Sequence, residues 1–128
     1  MRTPDELGRR LSEQTTEYDE IARYAGQLAQ HATAAVEIFG AEFIDHYNLR
    51  MAAWTERQWV QLQRITTFQA RTTKLSALSR AKRRVELLRW LKDSEALIVQ
   101  NERHILMGRT LIREVAPKMA LVITNPEP

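Results

Sequence analysis

Catalysis and metal binding need side chains that converge, and few in this chain are spaced to do so. Glu42, Asp45 and His46 sit together, and on a helix His46 stands one turn after Glu42, near enough to share a metal ion. The carboxylate metal pattern of helical proteins, however, requires Glu-x-x-His on each of two helices. That spacing occurs nowhere in the sequence, so no metal site is expected. His31 and His104 are isolated at helical positions and read as core-edge or surface residues rather than ligands or general bases. Neighbouring carboxylates such as Asp19 and Glu20 point about 100° apart on a helix and cannot meet on one substrate. Cysteine is absent, which excludes thiol chemistry, disulfides and Cys-based zinc sites. With no Gly-rich phosphate loop, Gly-x-Ser-x-Gly elbow or His-Glu-x-x-His motif, nothing sets a nucleophile beside a base. The expectation is a protein with no catalytic residues and no cofactor.

The residues that do form a pattern are basic. Arg50, Arg57, Arg64 and Arg71 recur every seven residues, and Lys74, Arg80, Lys82, Arg83, Arg84, Arg89 and Lys92 continue the excess. Seven residues are nearly two helical turns, so the four arginines share one helix edge at intervals of about 10.5 Å. Guanidinium forks match phosphate oxygens bidentately, and such a row offers a line of positive charge to a nucleic-acid backbone. The same spacing suits the flanks of a coiled coil, where arginines pair with carboxylates. The net charge is only +3, yet residues 1–49 carry −5, residues 50–92 carry +9 and residues 93–128 carry −1. The basicity belongs to the middle third. The candidate surface for nucleic acid or an acidic protein partner is therefore Arg50, Arg57, Arg64, Arg71, Lys74, Arg80, Arg83 and Arg84. Trp54 and Trp59 stand at the start of this segment. Trp54 is expected in the core, and Trp59, about 140° further round the helix, at a second interface.

The elements that must position these side chains are helices. Between Pro4 and Pro117 no proline interrupts the chain. Thr3-Pro4-Asp5-Glu6 reads as a capped start, with Pro4 at the first helical position and Glu6 closing a capping box. From there Leu7, Leu11, Gln14, Tyr18, Ile21, Ala25, Leu28, Ala32, Ala35 and Phe39 follow steps of three and four, one stripe on one face. This predicts a first helix over about 4–47 with a possible break near Gly40. A second segment carries Trp54, Leu62, Ile65, Phe68, Leu75, Leu78, Val85 and Leu88 inward, weakening around Thr72–Ser79, where a kink or short loop fits. Its start is open: Thr55-Glu56-Arg57-Gln58 offers a capping box, but the helix can equally begin near Asn48 or run straight through. Asp93-Ser94-Glu95 suits the cap of a last helix, in which Leu91, Ile98, Ile105, Ile112 and Met119 recur every seven residues until Pro117 ends the pattern.

These readings predict an all-α protein whose long amphipathic helices form a helical hairpin or three-helix bundle with coiled-coil-like packing, completed by oligomerisation. Residues 1–120 form one helical domain and 121–128 a flexible C-terminal tail. The expected oligomer interface is Leu11, Tyr18, Ile21, Leu28, Leu91, Ile98, Ile105 and Ile112. In a hairpin turning near residue 49, Glu6, Glu13 and Glu20 would neutralise the region of Arg80, Arg84 and Lys92, leaving Arg57 and Arg64 for an outside partner. No stretch reaches the roughly 18 apolar residues of a membrane span, and MRTPDELGRR carries charges where a signal peptide would be apolar. A cytoplasmic protein is expected, with membrane-surface binding not favoured. The function expected is that of a self-associating scaffold, adaptor or accessory subunit, non-enzymatic, acting through protein–protein contacts. The alternative is a nucleic-acid-binding accessory protein whose Arg-rich helix at about 50–92 contacts phosphates without sequence specificity.

Overall fold

Thr3 begins the first helix as its sequence requires. Its hydroxyl accepts the Glu6 backbone N–H at 3.2 Å, while the Glu6 carboxylate accepts the Thr3 N–H at 3.4 Å, so two donors at the helix start are satisfied reciprocally. A computed structural model describes residues 2–75 and 77–124, with the side chain of Thr124 excluded. Four helices follow in order: α1 Pro4–Gln30, α2 Ala32–Phe39, α3 Ala41–Leu75 and α4 Arg80–Thr124. The protein is all-α, with no strand among the described residues. No helix is long and apolar enough to cross a membrane among those residues.

The breaks fall partly where composition puts them. Gly40 adopts φ +90° between α2 and α3, a left-handed conformation that other residues resist. His31 makes a second break inside the expected first helix. Conversely, two expected starts lie within helices. Thr55 turns its hydroxyl to the Met51 carbonyl at 2.8 Å, the back-bond of a threonine inside a helix rather than a cap. Ser94 is fully buried inside α4. Pro117 does not stop α4, which continues to Thr124. A proline removes one i→i−4 bond and crowds the preceding turn. Here buried Val115 and Met119 hold the helix on either side, and Pro117 itself is exposed. Of the expected tail, residues 121–124 are helical backbone and 125–128 lie outside the described residues.

Cross-helix bonds fix the topology. The Gln58 amide reaches the Tyr18 carbonyl and the Gln69 amide reaches Ser12, so α3 runs antiparallel to α1. Arg2 pairs with Glu95 and Arg109 with Glu17, while Gln14 bonds the Ile98 carbonyl, so α4 runs parallel to α1. The Trp90 indole donates to the Phe68 carbonyl and the Trp54 indole to the His104 carbonyl, so α4 returns antiparallel along α3. The short α2 sits at the far end, where the Lys118 ammonium lies 5.5 Å over the Phe39 ring.

The apolar stripes meet within the single chain. Leu11, Tyr18, Ile21, Leu28, Ile98 and Ile105 of the expected oligomer interface are buried there, and Leu91 and Ile112 are partly buried. Three helices of one chain close around the stripe that was expected to need a second copy. Trp54 and Ile65 are buried as predicted, whereas Val85 and Leu88 are exposed at 56% and 58%. Their turns of α4 precede the point where α1 comes alongside.

Candidate nucleic-acid interface

The basic end of the molecule is built from the last turn of α3 and the first turns of α4. Residues 79–85 are all exposed, and so are Lys74, Arg89 and Lys92. Between Arg71 and Lys92 the chain has eight basic side chains and one acidic, Glu86. Arg83 is anchored: its guanidinium donates to the Leu75 carbonyl at 3.2 Å and the Leu78 carbonyl at 3.0 Å, holding the connection between the two helices. That places a cation at the negative end of α3. Arg89 pairs with Glu86 at 2.9 Å, and Arg71 pairs with Asp93 at 3.7 Å while lying 5.0 Å over the Phe68 ring. Among the described residues, Lys74, Arg80, Lys82 and Arg84 have no carboxylate at ion-pair distance.

The start of α4 breaks a rule of helix electrostatics. Its first turn has no acidic residue and contains Arg80, Lys82 and Arg83. Cations at the positive end of a helix are unfavourable by roughly 0.3–1 kcal/mol each. Arg83 is offset by its bonds to the Leu75 and Leu78 carbonyls, whereas Arg80 and Lys82 have no carboxylate at ion-pair distance among the described residues.

The expected neutralisation of this end by α1 does not occur. Glu13 and Glu17 are taken by Arg10, Glu17 also by Arg109, and Glu6 by the Thr3 cap. α1 lies parallel to α4, so Glu17 meets Arg109 rather than the cations of residues 80–92. The heptad arginines on α3 are mostly engaged. Arg50 is bonded by both oxygens of Glu114, and Arg64 donates to the Gln100 side chain at 3.3 Å. Arg57 has no ion-pair partner among the described residues.

The polar residues on the inward stripes form one connected layer that charge and motif reasoning missed. Asn101 donates to Gln14 at 2.9 Å and accepts from Gln61 at 2.7 Å; Gln14 donates to the Ile98 carbonyl at 2.9 Å. The Tyr18 hydroxyl lies 2.8 Å from Nδ1 of His104. All are buried. The available signal was the stripe itself, since Gln58, Gln61 and Asn101 fall in register with Trp54, Ile65, Ile98 and Ile105. Burial, and secondarily the charge of Arg57, push His104 down to about 4, so it is neutral in the folded protein near pH 7. Burial raises the Tyr18 hydroxyl well above its ordinary range and pushes Tyr47 up to about 12. Glu42, Asp45 and His46 are exposed, and no three His, Asp or Glu side chains converge on a metal position among the described residues.

No family model matches this chain, and neither a curated protein nor a solved structure is similar to it.

Proposed function

We propose that this chain is a non-enzymatic binding protein: a three-helix bundle with coiled-coil-like packing that carries a basic end for nucleic-acid phosphates. The observation that carries the reading is the first turn of α4. Arg80 and Lys82 stand there against the helix dipole with no acidic residue in the same turn, and both are exposed. A phosphate bound there would meet side-chain cations and the helix N–H groups together, removing the repulsion that the free protein sustains. Sequence specificity is not part of the proposal, because no set of base-reading side chains accompanies the cations.

The test is fluorescence anisotropy with labelled DNA and RNA of unrelated sequence. The triple variant Arg80→Gln, Lys82→Gln, Arg84→Gln should bind about tenfold or more weakly to each, with the fold kept and melting equal to or slightly above the wild type, because all three side chains are exposed and two of them oppose the helix dipole. Equal binding by the variant, or no binding by the wild type at micromolar protein in low salt, would overturn the proposal.

A second reading, self-association as a scaffold or accessory subunit, is favoured by exposed apolar side chains outside the core. Leu49, Trp59 and Leu121 are 72%, 65% and 75% exposed. Light scattering that returned the 14.9 kDa monomer at tens of micromolar would remove it.

A further inference from the structure

Beside the polar layer, α3 and α4 leave between them a groove of about 610 Å³, within the size range of small-molecule sites. Ala53 presents only a methyl group to it. Trp54, Met107 and Leu111 give it apolar walls, and Arg50, Arg57 and Glu114 stand along it. The same groove holds the guanidinium of Arg57, which is exposed and has no ion-pair partner among the described residues.

We propose that this groove binds a small amphipathic monocarboxylate. The flat or chain-like apolar body lies on Ala53, Trp54, Met107 and Leu111, and the carboxylate is held by the Arg57 fork. A guanidinium matches a carboxylate bidentately. Glu114 on the same rim disfavours dianions, so one negative charge fits better than a phosphate. The site is independent of the basic end, since none of Lys74, Arg80, Lys82 or Arg84 lines it.

Isothermal titration calorimetry of the full chain at pH 7.5 tests the proposal, with 2-naphthoate and decanoate as probes and neutral 2-naphthylmethanol as the control. We expect saturable one-to-one binding of the acids with a Kd on the order of 100 μM, and binding of the alcohol about tenfold weaker. Arg57→Gln should bring naphthoate to the affinity of the alcohol, because Arg57 is exposed and its loss leaves the core intact. Ala53→Phe, which fills the groove, should abolish binding of both. Met107→Glu, at a side chain 62% exposed, supplies a second variant that folds independently of groove filling, and it should repel the acid while sparing the alcohol. The proposal fails if neither acid binds at millimolar concentration, if naphthoate binds no tighter than the alcohol, if Arg57→Gln leaves naphthoate affinity unchanged, or if that affinity survives both Ala53→Phe and Met107→Glu.

Discussion

Replacing Gly108 with alanine should destabilise the protein, although alanine is the better helix former. A Cβ at this position of α4 would stand 2.5 Å from Cζ2, 2.6 Å from Cε2 and 2.9 Å from Nε1 of Trp54. Ordinary carbon contacts begin near 3.5 Å, so the indole would have to move by about an ångström. It has little room to do so. Nε1 donates to the His104 carbonyl at 2.7 Å, and the ring stacks on His104 with centroids 4.8 Å apart and lies 5.8 Å from Tyr18. Helix propensity favours alanine by about 1 kcal/mol. Against this, overpacking costs about 1–3 kcal/mol and a loosened indole hydrogen bond about 1 kcal/mol. The balance is a loss of about 1–3 kcal/mol, or roughly 4–12 °C in Tm for a chain of this size. Gly26→Ala is the control, since nothing lies within 4 Å of its added methyl, and it should gain up to about 1 kcal/mol. Urea unfolding followed by circular dichroism measures both. A Gly108→Ala protein as stable as the wild type would refute the close approach of α4 to Trp54.

Because His104 is held near 4 in the folded protein and ordinarily titrates near 6.5, the unfolded chain takes up a proton that the folded one refuses between those values. Stability should therefore fall as pH drops from 6.5 towards 4, by up to about 3 kcal/mol; urea unfolding of His104→Gln should lack that part of the loss, and an identical pH profile would contradict the assignment. Ile105→Asp sets a carboxylate at a side chain 1% exposed, at a cost of several kcal/mol against a typical stability of about 5–15 kcal/mol. Loss of the cooperative melt is expected, and an unchanged melt would misplace the core. Thr3→Ala removes the α1 cap and should lower stability by about 1 kcal/mol in the same urea assay; no change would mean that the capping box contributes nothing.

What the sequence displays well is local. The Thr3 capping box, the stripe from Leu7 to Leu28, the break at Gly40 and the interruption after Leu75 all follow from residue types acting on their own neighbourhood. The starts suggested at Thr55 and Asp93 do not form, because the helix on either side is held by core residues such as Trp54 and Leu97, and burial outweighs a cap of about 1 kcal/mol. Pro117 within α4 has the same origin. The site depended on tertiary facts. Charge counting locates the basic third, but which arginines are paired follows from the packing, in which Arg10 takes Glu13 and Glu17 along its own helix and Arg109 of α4 reaches Glu17. Periodicity likewise finds a stripe without saying whether one chain or two will cover it. The buried glutamines and Asn101 read as polar interruptions until three helices bring them to one level.

The salt dependence of nucleic-acid affinity tests the central proposal most directly. Four of the unpaired cations of the basic end, Lys74, Arg80, Lys82 and Arg84, cluster at the junction of α3 and α4 and can each neutralise one phosphate of duplex DNA. A plot of log K against log salt for the wild type should then have a slope of about −3 to −4, falling to about −1 in the Arg80→Gln, Lys82→Gln, Arg84→Gln variant. Arg57→Gln with Arg64→Gln, on the flank of α3, should leave the slope unchanged. A flat wild-type plot would contradict the proposal, and so would a slope reduced by the α3 pair while the α4 triple leaves it intact.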